Sequence, residues 1–87
     1  MMPGIPSYHY TYATLLDRQG RGDEAVAQFT LAIQGDPTDS RYYNNLGIAL
    51  ARQGRRKAAI RQFQQALNID PHNGNAAQNL LRVNPKN

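Results

Sequence analysis

A chain of 87 residues, with ten Lys and Arg against six Asp and Glu, has room for one small domain at most. It contains no cysteine, which excludes disulfide bonds and thiolate metal sites in this chain. No apolar run approaches the roughly 20 residues that a membrane-spanning helix needs, so we predict no membrane span. The start of the chain lacks a basic region followed by an apolar stretch, so it does not predict a signal peptide. This absence does not settle the compartment, which stays unknown at this point, with the cytoplasm slightly favoured.

Residues 1–6 hold two prolines and a glycine and predict an irregular lead-in. A first helix is expected to begin after Ser7, as its N-cap, and to end near Gln19, because Gly20 readily takes a left-handed conformation. Residues at helical spacing predict that one face of this helix is buried: Tyr8, Tyr12, Ala13, Leu15, Leu16 and Gln19.

A second helix is expected to open at Gly22, where Asp23 and Glu24 suit the positive end of the helix dipole. Its predicted buried stripe is Ala25, Val26, Phe29, Ala32 and Ile33. The pair Asp36 and Pro37 ends the helix, because the residue before a proline is pushed away from helical geometry.

The same plan then recurs with a period of 34 residues, and the tetrapeptide RQGR at 18–21 reappears at 52–55. A third helix capped by Asp39 or Ser40, and a fourth at about residues 56–68, are expected. Their predicted apolar faces are Tyr42, Tyr43, Leu46, Gly47, Ala49 and Leu50, and Ala59, Ile60, Phe63, Ala66, Leu67 and Ile69. Since a fixed period of this length is typical of stacked repeats, we predict an all-α fold of antiparallel helix-turn-helix pairs with about five helices.

The predicted helices and turns divide the chain into five parts. They are a lead-in at 1–6, a first repeat at 7–39, a second repeat at 40–73, a terminal or capping helix at 74–83 and a tail at 84–87. The terminal helix has apolar residues at Ala76, Ala77, Leu80, Leu81 and Val83.

The spacing of these residues resembles the tetratricopeptide repeat, a helix-turn-helix unit of 34 residues. Residues 40–73 match its pattern at Tyr43, Leu46, Gly47, Leu50, Ala59, Phe63, Ala66 and Pro71. Residues 6–39 match at Leu16, Ala25, Phe29, Ala32 and Pro37, and they depart from it at His9, Tyr12 and Ala13. The resemblance implies two full repeats and one further helix, which curl into a right-handed superhelix with a concave groove.

In this family the groove is lined mainly by the first helix of each repeat and holds a peptide or a partner helix. Carried over to this chain, the groove positions hold Ser7, Tyr10, Thr14, Asp17, Arg41, Asn44, Ile48, Ala51, Asn75, Gln78 and Arg82, and Asn45 beside Asn44 also approaches the groove. The candidate peptide-binding residues among them are Tyr10, Thr14, Arg41, Asn44, Asn45, Ile48, Gln78 and Arg82. The carboxylate clamp of chaperone-binding members is disfavoured, because only Asn45 fits its pattern.

A basic cluster is a second candidate surface, made of Arg52, Arg55, Arg56, Lys57 and Arg61. No acid occurs between Asp39 and Asp70, whereas Arg18 and Arg21 lie beside Asp17 and Asp23. Such a patch attracts anions, although a solvated helix face is the simpler interpretation. Nucleic-acid binding is less favoured, because residues 51–62 lack aromatic side chains for base stacking.

Residues suited to catalysis or metal binding are few. His9 and His72 are isolated, and Ser7 and Ser40 precede helices and are interpreted as caps. We therefore predict no enzyme, no cofactor and no metal site. The leading hypothesis is a protein-binding module, and the alternative is a homo-oligomer or a piece of a longer array, because stacked repeats bury apolar faces only against neighbours.

Overall fold

The computed structural model describes residues 5–84, and within that range it contains five α-helices. They are α1 (Pro6–Arg18), α2 (Gly22–Gly35), α3 (Ser40–Arg52), α4 (Arg56–Ile69) and α5 (Gly74–Val83). This part of the chain has no strand, so the predicted all-α fold of five helices is confirmed. The predicted lead-in and tail fall mostly on residues 1–4 and 85–87, which lie outside the described range, and Pro6 is already helical.

Glycine turns join the two helices of each repeat. Gly20 and Gly54 have φ angles of 78° and 77°, the left-handed conformation that glycine takes at little steric cost. The N–H of the residue after each glycine donates to the carbonyl of Leu16 or Leu50, in both cases at 2.9 Å. The predicted glycine ends of the first and third helices are confirmed.

The helix starts differ in how they are capped. Helix α1 begins at Pro6 with Ile5 as its N-cap residue, so the predicted cap at Ser7 is wrong. A proline in the first turn suits this start, because its missing N–H would have no partner there in any case. Helix α3 is capped as predicted by Asp39, whose carboxylate accepts the Arg41 N–H at 3.0 Å.

Two substitutions of Asp39 separate its cap from its ion pair with Arg41. Asp39→Asn keeps a side-chain acceptor and should lower the free energy of unfolding by less than about 1 kcal/mol, whereas Asp39→Ala should cost about 1–2 kcal/mol.

The hydrogen bond from Arg41 lowers the pKa of Asp39. Its ionic contribution is therefore full above the unfolded pKa of about 3.9 and is lost as pH falls through the lower folded pKa. Urea melts between pH 2 and 5 should show a shallower acid loss in Asp39→Asn, and an unchanged acid loss would contradict this assignment.

The larger of two core clusters runs through both repeats, with Phe29 and Phe63 as its largest fully buried side chains, and a smaller one contains Tyr43, Ala66 and Ala76. Gly47 lies against the Phe63 ring, which lets α3 and α4 approach closely, and its equivalent in the first repeat, Ala13, is fully buried in the same cluster as Phe29. The predicted face of α3 is confirmed at every position, because α3 has α2 on one side and α4 on the other.

The predicted face of α1 is partly wrong. Ala13 and Leu16 are buried, but Tyr8, Tyr12 and Leu15 are exposed, as is Gln19. Helical periodicity correctly places these residues on one side of the helix, but no other part of the described chain covers that side. Leu81 of α5 is exposed for the same reason at the opposite end.

The five helices form two layers. Each helix contacts the next one in the chain, and α3 also contacts α1 and α5. Helices α1, α3 and α5 therefore lie side by side as one wall, and α2 and α4 form the layer behind it. This wall carries the residues predicted to line the groove.

Candidate functional site

A chain of polar contacts crosses the wall of α1, α3 and α5. The Asn45 side chain donates to the Tyr10 hydroxyl at 2.7 Å, and the Asn79 side chain donates to the side-chain oxygen Oδ1 of Asn44 at 3.0 Å. Asn44 in turn donates to Asn45 at 3.4 Å. Both cross-repeat bonds join residues 35 apart, one more than the period, and the second pair lies one period after the first, so the same contact recurs between successive helices of the wall.

Asn44 has a different role from the one predicted. Asn44 is only 6% exposed, and its side-chain amide donates to Asn45 and accepts from Asn79. A buried amide satisfied on both sides leaves little surface for a ligand. We therefore correct Asn44 from a groove contact to a residue that aligns α3 with α5.

Tyr10, Tyr42 and Arg41 form a cluster at the seam between α1 and α3. The two rings lie 5.0 Å apart, and the Arg41 guanidinium lies 5.3 Å from the Tyr10 ring centre and 5.8 Å from that of Tyr42. These distances are within the range of cation–π attraction. Sequence reasoning assigned Tyr42 only to the core and missed its contact with the predicted groove residue Tyr10.

Asp39 fixes the Arg41 side chain in this cluster. It accepts from Arg41 Nε at 3.0 Å and from Nη2 at 2.6 Å, while the Arg41 side chain stays 63% exposed. Hydrogen bonding to Asp39 raises the pKa of Arg41, and burial raises the pKa of Tyr42. A guanidinium has five N–H donors, and Asp39 uses two of them, so three remain for a ligand.

A second recess lies at the seam between α3 and α5, with a volume of about 260 Å³. Ile48 and Val83 supply apolar surface, and Arg82 and Arg52 supply charge. The structure thus brings Ile48 and Arg82 together, as it brings Tyr10, Arg41 and Asn45 together at the other seam.

Thr14 and Gln78 belong to neither cluster. The Thr14 hydroxyl donates to the Tyr10 carbonyl of its own helix at 2.9 Å. Gln78 is exposed on α5 and makes no side-chain hydrogen bond within residues 5–84. Neither residue is held in a defined geometry toward a ligand.

Comparison with known families agrees with this architecture. A family model described as tetratricopeptide repeat matches residues 40–73, and a second one with the same description matches residues 6–29. The chain belongs to the tetratricopeptide repeat family. Tetratricopeptide repeats generally mediate protein–protein interactions, and the family is generally non-catalytic. A comparison with curated proteins finds no significant match.

The basic cluster of this tetratricopeptide repeat protein is smaller than predicted. Arg52 forms an ion pair with Asp17 of the first repeat, so it is not an uncompensated charge. Arg55 donates to the Gln53 side chain at 3.3 Å. The sequence alone did not predict the Asp17–Arg52 ion pair, because the two residues are 35 positions apart. Three cations stay exposed on α4 within the described chain without an ion pair: Arg56, Lys57 and Arg61.

The first repeat also distributes its charges differently from the prediction. Arg21 pairs with Glu24 at 2.7 Å, and Asp23 accepts from Gln53 at 2.8 Å, so Arg21 is not compensated by Asp23. Arg18 is exposed and forms no ion pair within the described residues, because its neighbour Asp17 is engaged by Arg52.

Other chemistry is sparse in this tetratricopeptide repeat protein. His9 Nδ1 lies 2.7 Å from Oε1 of Gln28 on α2, which ties the two helices of the first repeat together. Between residues 5 and 84, no three residues among His, Asp and Glu cluster in a way that could hold a metal ion. The same stretch has no helix with the length and apolar character to cross a membrane.

Proposed function

We propose that the chain is a non-catalytic interaction module that holds a peptide or a partner helix along the wall of α1, α3 and α5. Its anchors are the Tyr10–Arg41 cluster at one seam and the Ile48–Arg82 recess at the other. The side chains between these seams bond to one another, so the wall is aligned before a ligand arrives.

The geometry of Arg41 carries this proposal. An exposed arginine ordinarily loses rotamer freedom on binding, at a cost of about 0.5–1.5 kcal/mol. Here two hydrogen bonds to Asp39 and two aromatic rings hold the guanidinium before binding. Its three remaining N–H groups suit the carbonyl oxygens of a peptide backbone, and the half-buried ring of Tyr10 suits an apolar side chain beside them.

Substitutions in the wall should weaken binding of a peptide selected by phage display on the immobilised chain. Arg41→Ala and Ile48→Asp should each lower the affinity about tenfold or more in titration calorimetry, since anchors of this kind contribute more than about 1.4 kcal/mol. The matched control is Leu31→Ala, an exposed apolar residue on α2. An Arg41→Ala/Ile48→Asp double variant that binds like the unaltered chain would contradict the proposal.

Self-association through α5 is a second candidate, and it rests on Leu81. The equivalent residues of α1 and α3, Ala13 and Gly47, are buried against the second helix of their repeats. Within the described chain α5 has no such helix, and Leu81 is exposed. Pairing of two α5 helices would bury this residue.

We expect Leu81→Glu to abolish such pairing without unfolding the chain, because the side chain is exposed. Light scattering over a dilution series should then show a concentration-dependent mass for the unaltered chain and a constant monomer mass for the variant. A monomer at every concentration of the unaltered chain would remove this candidate.

A further inference from the structure

The Ile48–Arg82 recess adjoins a second recess at the ends of α3 and α5. The two have volumes of about 260 and 370 Å³ and share Ala51, Arg82 and Val83, and the larger one also reaches Arg56 at the start of α4. Ile48, Ala51 and Val83 are half-buried apolar residues. Arg56 and Arg82 are exposed, and neither forms an ion pair within the described part of the chain. The α3–α5 seam therefore combines an apolar surface with two unpaired cations.

The equivalent recess of the first repeat is supplied with acids by the chain itself. It has nearly the same volume, about 360 Å³, and four of its lining residues lie one period before Ala51, Gly54, Arg56 and Val83: Asp17, Gly20, Gly22 and Ala49. Asp17 forms an ion pair with Arg52, and Asp23, which also lines this recess, accepts from Gln53 at 2.8 Å. The polar groups of α3 at the first seam are thus matched by carboxylates of the first repeat.

The second repeat lacks these carboxylates. One period after Asp17 and Asp23 the chain has Ala51 and Lys57. Among the described residues, no acid lines either recess at the α3–α5 seam. A cleft with charges of one sign and apolar walls attracts the opposite charge more strongly than an open surface does. A carboxylate from a ligand would therefore supply here what the first repeat supplies to itself.

A peptide fits both the apolar and the charged part of this seam, because adjacent residues can present an aliphatic group and a carboxylate. A nucleic acid would need exposed rings for base stacking, and the one ring that lines this surface, Phe63, is only 1% exposed.

We propose that the α3–α5 seam binds an acidic peptide segment, with an aliphatic side chain against Ile48 and Val83 and a neighbouring carboxylate on Arg82 and Arg56. This assignment rests on the proposed function of the wall and specifies the class of peptide. It requires no free C-terminus, unlike the carboxylate clamp.

Phage display tests the predicted preference with a random library in which every peptide is fused to the phage at its C-terminus. The same selection is made on the unaltered chain and on an Arg56→Glu/Arg82→Glu chain. We expect the unaltered chain to enrich Asp or Glu beside Leu, Ile or Val, and the charge-reversed chain to enrich Lys or Arg there. Peptides without enriched acids on the unaltered chain would overturn the proposal.

Titration calorimetry of a selected peptide, amidated at its C-terminus, measures the contact itself. Arg82→Gln should weaken binding about five- to tenfold at low salt. Replacing the acid of the peptide by its amide should weaken binding to the unaltered chain by a similar factor, and binding to the Arg82→Gln chain only slightly, because the two changes remove the same interaction.

The matched control is Arg61→Gln, which removes an exposed cation of α4 that lines neither recess. It should change the affinity by less than about twofold, because a distant charge is screened by salt. Equal losses for Arg82→Gln and Arg61→Gln would overturn the proposal, since the attraction would then depend on net charge alone. A labelled oligouridylate that binds more tightly than the peptide and is weakened by Arg82→Gln would also overturn it, in favour of nucleic acid.

Failure of the proposed function has a different outcome. In that case the selection yields no binder, or the affinity of the selected peptides does not respond to Arg41→Ala and Ile48→Asp. Failure of the present inference alone leaves that response intact and removes only the preference for acids.

Discussion

Phe63→Ala is expected to lower the free energy of unfolding by about 3–5 kcal/mol. The ring is only 1% exposed and belongs to the cluster that joins both repeats. Removing it loses the transfer free energy of the ring and leaves a cavity between α3 and α4. A chain of this length is stabilised by about 4–13 kcal/mol in total, so the variant should lie close to the limit of folding.

Urea denaturation followed by far-ultraviolet circular dichroism measures this loss. The matched control is Leu31→Ala, which removes an exposed apolar side chain and should change stability by less than about 0.5 kcal/mol. Phe29→Ala, which removes the equally buried ring of the first repeat, should fall in the same range as Phe63→Ala. A loss below 1 kcal/mol for Phe63→Ala would contradict the assignment of this ring as the central contact.

Gly47→Leu is expected to destabilise the chain by about 2–3 kcal/mol or more through overpacking. A Cβ atom built on Gly47 would lie 2.5 Å from Cε1 of Phe63, too close for any real contact. The buried Phe63 ring would have to move, and α4 with it. The same residue type is accepted at the equivalent place in α5, Leu81, because no described helix packs there.

A double substitution separates crowding at Gly47 from a general intolerance of leucine in this helix. Adding Phe63→Leu to Gly47→Leu should recover part of the stability, because the smaller side chain frees space beside position 47. The matched control is Gly74→Leu, at a helix start where an added Cβ meets open space, and it should change stability little. If Gly47→Leu unfolds at the same urea concentration as the unaltered chain, the close approach at Gly47 is not a packing constraint.

Much of the fold follows from the sequence, because its determinants are local and repeated. Gly20 and Gly54 end their helices where the repeated tetrapeptide places them, and the conformation they adopt is a property of glycine itself. The apolar face of α3 was also predictable, since helical spacing is sufficient when both neighbours of a helix are present. The helix bounds agree to within one or two residues, apart from the cap of α1.

The remaining differences concern contacts between repeats. The periodicity of α1 matches that of a buried helix, but Tyr8, Tyr12 and Leu15 are exposed because burial depends on a neighbour, which local spacing does not encode. The predicted basic cluster was too large for the same reason, because Arg52 forms an ion pair with an acid of the preceding repeat. Asn44 was placed correctly on the wall, but its burial depends on Asn79 of the next helix. These pairs join residues 35 apart, so aligning the chain at its period of 34 residues does not bring their members together.

The order of helix contacts also governs how the chain should respond to force. Helix α5 packs mainly against α4 and makes fewer contacts with α3, and within residues 5–84 it has no substantial contact with α1 or α2. Pulling on the two ends would therefore load one helix interface after another, and we expect α5 to peel away first while the α1–α2 hairpin stays intact. We therefore expect such a chain to extend in steps, one helix interface at a time.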